Sequence, residues 1–212
     1  MNGLGTGLLG SLARLRNART LRESSWDRTG RNRDCWSVNP GEKRVLADIR
    51  GPGCVTHIWM TQNCQRLFGT GKSDFDPDYF RKVLLRICWD GEKRPSVLVP
   101  LGDFFCQGHS IVSNFCSLPF TASTNRPGTF GGTVALNCYL PMPFRKRCRI
   151  EVENQNDVPY SQYFYVDYEL YEEPLADDVA YLHAQWRREN PTDGWGHEVQ
   201  VNTAEADVVN KD

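Results

Sequence analysis

Alternation of apolar and polar side chains runs through the middle of this chain and predicts strands. Between Lys43 and Arg50 the apolar positions Val45, Ala47 and Ile49 recur every second residue, the period that gathers them on one face of a strand. Residues 54–61 follow a Gly51-Pro52-Gly53 turn, with Val55, His57 and Trp59 on one face and Cys54, Thr56, Ile58 and Met60 on the other. Residues 83–89 place Val83, Leu85, Ile87 and Trp89 together and Arg86 with Asp90 opposite them. The Asp90-Gly91-Glu92 turn then returns the chain as a hairpin into residues 96–101. Segments 133–140, 148–153 and 163–171 bring the strands to at least seven. In the last of these, Phe164, Val166, Tyr168 and Leu170 alternate with Tyr163, Tyr165, Asp167 and Glu169. No ten-residue helical pattern separates the strands, which argues against a parallel α/β fold. The predicted class is all-β, an antiparallel β-sandwich or jelly roll.

The two ends read differently. In residues 8–22, Leu8, Leu9, Leu12 and Leu15 alternate with arginines, which suits a short amphipathic leader helix. Pro174 breaks the last strand, and residues 177–190 place Val179, Leu182 and Trp186 at helical spacing before Pro191. Residues 193–212 are polar apart from a short alternation around Val199 and Val201, too little to bury a core of their own. The expected organisation is a leader helix over 1–22, a jelly roll over 23–173 and a helix over 174–191. Residues 192–212 are then a linker or the start of a second jelly roll.

Composition adds exclusions. The 212 residues carry 25 basic and 26 acidic side chains, a balance that leaves no field to attract nucleic acid or an anionic membrane. The first residues lack the basic start and undiluted apolar run of a signal peptide, and no apolar stretch reaches the length of a bilayer. A soluble, cytoplasmic protein is the expectation. The eight cysteines, at Cys35, Cys54, Cys64, Cys88, Cys106, Cys116, Cys138 and Cys148, form no CxxC pair and no zinc-like spacing. Several replace an apolar residue within a strand, so buried reduced thiols account for them most simply.

Candidate chemistry concentrates before the first strand of the sandwich. The run SSWDRTGRNRDCW, residues 24–36, holds too many charges and aromatics for a core strand and too little apolar periodicity for a helix. Such a loop reads as a solvated connector or as a surface that grips a polar ring. Elsewhere, His57 lies in a strand beside Trp59, where it reads equally as a packed, hydrogen-bonded residue. His109 follows Asp103 and the Phe104-Phe105 pair. A metal site from His57, His109 and Asp103 would resemble a cupin, but no HxH pair or third nearby histidine supports it, and no metal or other cofactor is expected. No nucleophile elbow, phosphate loop or dinucleotide fingerprint occurs. Asp27, Asp34 and Asp103 supply carboxylates for glycosidic cleavage by composition only, since nothing in the sequence brings two together at about 5–9 Å.

The blocks SSWDRTGRNRD, PGEKRVLADIRGPGCVTHIWMT, LRICWDGEKRPSVLVPLGDFF, GHS, NCYLPMPF and RIEVENQ, in this order, strongly resemble glycoside hydrolase family 172 from about residue 22 to residue 191. The resemblance implies the first of two tandem jelly rolls, assembled as trimers or larger oligomers. It also implies retaining, exo-acting hydrolysis or transglycosylation of fructo-, arabino- or galactofuranosides. Two glutamates do this chemistry in the family, both in the second half, in segments this sequence does not contain. GWGHE at 194–198 is only superficially like one of them, so Glu198 is assigned no role.

On that footing the chain corresponds to the N-terminal half of the enzyme, supplies substrate contacts and is inactive alone. The residues implied at the furanose are Trp26, Asp27, Arg28, Thr29, Asn32, Asp34 and Trp36, with His57, Asp103 and His109 as weaker candidates. The indoles offer stacking faces and the polar groups offer bonds to ring hydroxyls. The alternative is a non-catalytic jelly-roll module that binds carbohydrate or serves as a capsid-like structural or oligomerisation subunit.

Overall fold

The computed structural model describes residues 15–67, 73–188, 199–203 and 206–210. In chain order, β1 (Arg19–Ser24) and β2 (Trp36–Val38) flank the polar loop, and β3 (Lys43–Arg50) and β4 (Gly53–Asn63) follow. A small hairpin of β5 (Gln65–Leu67) and β6 (Ser73–Phe75) leads to helix α1 (Tyr79–Lys82), β7 (Val83–Trp89) and β8 (Val97–Pro100). Helix α2 (Leu101–Phe104) and a 3₁₀ turn (Gly108–Ser110) precede β9 (Phe115–Cys116), β10 (Phe120–Ser123), β11 (Ala135–Cys138) and β12 (Met142–Phe144). The long strands β13 (Arg147–Asn154) and β14 (Tyr160–Leu170) come next, then β15 (Ala184–Gln185). A separate hairpin pairs β16 (Val199–Thr203) with β17 (Ala206–Asn210).

Two sheets enclose one core. The larger runs β1-β14-β4-β11-β10-β9, with β2 also on β14 and β12 also on β4, and the smaller runs β15-β8-β7-β13-β3. Every pairing is antiparallel except β15 with β8. Val83, Leu85, Ile87 and Trp89 of β7 and Cys148, Ile150 and Val152 of β13 turn inward to meet Ile58 and Met60 of β4 and Phe164 and Val166 of β14. Each such large apolar side chain contributes roughly 1.5–3 kcal/mol by leaving water. The antiparallel sandwich expected from the alternation is therefore present. No helix among the described residues is long and apolar enough to cross a membrane.

Three local expectations are corrected. In β4 the alternation breaks once: Asp167 of β14 faces His57 and the next residue, Tyr168, faces Val55, so Thr56 is the extra residue of a β-bulge. The bulge turns Val55 inward with Ile58 and Met60 and leaves His57 and Trp59 on the outer face, so Val55 and His57 do not share a side. At the N-terminal end, residues 19–24 are not helical but form β1, paired from Arg19 with Leu170 to Ser24 with Tyr165. The open edge of β14 satisfies these amides, and Leu21 packs on the core. The rest of the expected leader, residues 1–14, lies outside the described residues.

The third correction concerns residues 177–188, which contain no helix. Their backbone groups bond to other parts of the fold. The Arg145 guanidinium donates to the carbonyls of Ala176 and Val179 at 3.0 and 2.9 Å, and Trp89 Nε1 donates to the Leu182 carbonyl at 2.8 Å. Ala184 and Gln185 then run parallel to Val97 and Leu98. Residues 189–191 of the expected helix, Glu198, and the stretches of 192–212 outside β16 and β17 lie outside the described residues.

Candidate functional site

The 26–34 loop is organised by one carboxylate. Asp27 accepts hydrogen bonds from the Thr29 amide and hydroxyl at 2.9 and 2.7 Å and from the Arg31 and Arg33 amides, both at 3.0 Å. Its own amide donates to Asp34 Oδ1 at 3.1 Å. These bonds, the Thr29 hydroxyl's foremost, lower the Asp27 carboxyl to about 2. The turn they close holds Gly30 at φ 72° and Asn32 at φ 62°, left-handed backbone that glycine and asparagine adopt most readily. Its base is anchored where the buried Ser25 exchanges two hydrogen bonds with the Phe164 backbone, one through the Ser25 amide and one to its hydroxyl.

This arrangement divides the residues expected at the sugar. Asp27 faces its own loop and has its lone pairs occupied. Trp26 is 57% exposed, with the Arg28 guanidinium 6.0 Å from its ring centre. Thr29, Asn32 and Asp34 are exposed. Trp36 is half-buried, edge-on to Phe164 at 5.0 Å and covered by Arg44 at 4.7 Å, so it fastens the loop's far end.

From the loop, a polar and aromatic face continues across the larger sheet. Tyr163 stands beside Cys35 and Asp34, whose proximity raises its hydroxyl above the usual tyrosine range, the Cys35 hydrogen bond contributing most. Tyr165 stacks on Trp59 at 4.8 Å and lies under the Arg22 guanidinium at 4.3 Å. Arg22 also grips Asp167 through Nε and Nη2, at 2.5 and 3.0 Å. Asp167 in turn accepts from His57 Nδ1 at 2.9 Å, and His57 Nε2 lies 3.0 Å from Asn137 Oδ1. Tyr139 stacks on the imidazole at 4.7 Å, with only 11° between the planes. Burial pushes the Asp167 carboxyl upward, but the hydrogen bonds from Arg22 and His57 outweigh it and hold the group below the usual carboxylate range.

The ionised Asp167 is an acceptor only, so His57 Nδ1 carries a proton. The other nitrogen, Nε2, lies within hydrogen-bond distance of the Asn137 side-chain amide. With Tyr139 and Tyr165 at 48% and 38% exposure, the face presents flat apolar surfaces among fixed donors and acceptors. Both carboxylates that anchor it, Asp27 and Asp167, are committed to hydrogen bonds from the protein.

Asp103 and His109 lie elsewhere, where α2 and the 3₁₀ turn meet the smaller sheet. Asp103 is 3.3 Å from Arg81 Nε, and its burial still raises the carboxyl above the ordinary range. Among the described residues no group of three or more histidines, cysteines and acids is arranged to hold a metal ion, so His57, Asp103 and His109 do not converge on one. All eight cysteines are free thiols; Cys54, Cys64, Cys138 and Cys148 are buried, whereas Cys106 and Cys116 are exposed. The residues that sequence reasoning missed are Arg22, Asn137, Tyr139 and Asp167. Of these only Asp167 carried a signal, on the outward half of the 163–171 alternation, and it needs the pairing register to connect it to His57.

No curated protein matches the sequence. The family model of the GH172 first beta-sandwich domain matches residues 16–179, a span that holds every strand of both sheets except β15. The chain therefore belongs to glycoside hydrolase family 172, GH172, and carries its first β-sandwich domain.

Proposed function

We propose that this domain is the sugar-binding half of a retaining, exo-acting furanosidase or transglycosylase for fructo-, arabino- or galactofuranosides, whose two catalytic glutamates lie outside these 212 residues. The observation that carries the reading is the 26–34 loop. Asp27 spends its hydrogen-bonding capacity on rigidity, which leaves Trp26, Arg28, Asn32 and Asp34 presented on a fixed frame. Preorganisation of that kind lowers the entropy cost of gripping a small polar ligand. The outer face with Tyr165, His57 and Tyr139 extends the surface available to it.

The same reading places the full-length protein in a trimer or larger homo-oligomer, without nucleic-acid or membrane partners and without a cofactor. Eight free thiols fit a reducing compartment such as the cytoplasm. The test is saturation-transfer NMR on residues 1–212 with methyl furanosides of the three classes, alongside nitrophenyl furanosides for turnover. Binding that Trp26→Ala weakens severalfold, without turnover, is the expected result. Turnover by this chain alone would refute the assignment of the catalytic glutamates elsewhere, and absence of binding to any furanoside would favour a structural module.

A further inference from the structure

We infer that the groove over the outer side of the smaller sheet is a second sugar-binding site, with Trp186 as its platform. The groove measures about 1020 Å³, and Leu84, Leu98, Arg81, Gln155, Gln185 and Trp186 are among its lining residues. Leu84 of β7 and Leu98 of β8 point away from the core, so the groove lies on the opposite layer from the 26–34 loop and does not depend on it.

Trp186 is held in place by its backbone, whose amide donates to the Leu98 carbonyl at 3.3 Å, while 42% of the residue stays exposed. The Arg81 guanidinium lies 5.3 Å from the indole and is steadied from behind by Asp103 at 3.3 Å. Two amides complete the rim. Gln155 gives its Nε2 to Glu153 and keeps its oxygen as an acceptor. Gln185 accepts from Arg187 and keeps its nitrogen as a donor.

The lining also includes His109, in a turn where three non-glycine residues hold left-handed backbone: Cys106 at φ 61°, His109 at 57° and Ser110 at 61°. Beside His109, Gln107 and Ser110 are each 1% exposed, and Gln107 Nε2 and Ser110 Oγ have no hydrogen-bond partner among the described residues.

The chemistry selects the ligand. An apolar molecule would cover Trp186 but make no use of the Gln155 oxygen and the Gln185 nitrogen at the rim. An extended peptide would add to the edge of β8, and β15 already takes that edge at Val97 and Leu98. A sugar ring offers a C–H face for the indole together with hydroxyls that both donate and accept.

The experiment is ¹⁹F NMR of the 212-residue chain labelled with 5-fluorotryptophan, its six tryptophans assigned by Trp→Phe variants and titrated with D-fructose, L-arabinose and D-galactose. The Trp186 resonance is expected to shift saturably with at least one sugar. That shift should persist in Trp26→Ala, and Gln155→Ala should weaken it about tenfold, the effect of one good hydrogen bond. A sugar-dependent shift at Trp26 alone would overturn this site and leave the loop reading intact. Shifts at neither tryptophan would overturn this site, while the loop reading stands or falls on the methyl furanosides. An equal response to glycerol or to an apolar alcohol would overturn the assignment to sugars.

Discussion

Truncating Asp167 to alanine removes three hydrogen bonds at once, and the surroundings of each partner set the cost. Arg22 has 51% of its side chain exposed, so it returns to water when the carboxylate is lost; a pair of that kind contributes about 0.2–1 kcal/mol. His57 is only 21% exposed and is pinned between Asn137 and Tyr139, so its Nδ1–H loses a partner that water replaces poorly, a cost of about 1–1.5 kcal/mol. Together these give about 2 kcal/mol, or roughly 5 °C in Tm for a chain of this length. Urea unfolding of wild type, Asp167→Ala, His57→Ala and the double variant isolates the shared part, expected at about 1 kcal/mol of coupling. The pH dependence supplies a second check. Asp167 sits below its ordinary 3.8 in the folded protein, so its contribution is complete above that pH and is lost as the pH falls through the folded value. Wild type and Asp167→Ala should therefore differ at neutral pH and converge in acid. Additive single variants, or a difference that persists unchanged into acid, would show that the Arg22–Asp167–His57–Asn137 chain is not one energetic unit.

Asp27→Asn should loosen the 26–34 loop without unfolding the sandwich, read as faster hydrogen exchange at the Thr29, Arg31 and Arg33 amides; in wild type that protection, complete above pH 3.8, should survive until the carboxyl protonates near pH 2. Gly53→Ala brings a Cβ to 2.4 Å from the Glu169 carbonyl oxygen and 2.7 Å from the Phe144 ring, so denaturant unfolding should show a loss of about 1–3 kcal/mol. Gly30→Ala meets nothing within 4 Å and strains only the backbone at φ +72°, so its cost should be smaller, about 1 kcal/mol. A brief iodoacetamide pulse at pH 8, read by mass spectrometry, should label exposed Cys116 first and Cys106, whose thiol partial burial raises, after it, both ahead of Cys64 and Cys138, which burial raises to about 11 and about 12; all eight should react after unfolding.

The strands were legible wherever one face is buried and the register is regular. Lys43 to Arg50, Val83 to Trp89 and Arg147 to Asn154 each show period two in the sequence, and inward and outward residues alternate in β7 and β13 as that period requires. The Thr56 bulge was not legible, because an extra residue in β4 is defined only by what β14 places opposite it. The mistaken helix has the same origin. Val179, Leu182 and Trp186 have helical spacing, yet Arg145, Trp89 and Leu98 supply the bonds that a helix would have made internally.

The candidate site divides along the same line. The loop organised by Asp27 is local: its hydrogen bonds span at most seven residues, and composition alone located it. What composition could not assign was the direction of Asp27, which turns toward the loop's own amides and leaves the display of polar groups to its neighbours. The outer face is non-local. Asp167 and Asn137 reach His57 across 110 and 80 residues of sequence, so that face exists only once β14, β4 and β11 have taken their register. A shift of one residue in any of those pairings would turn the cluster toward the core. The bulge at Thr56 is therefore what allows β4 to keep Val55 in the core on one side of it and His57 on the outer face on the other.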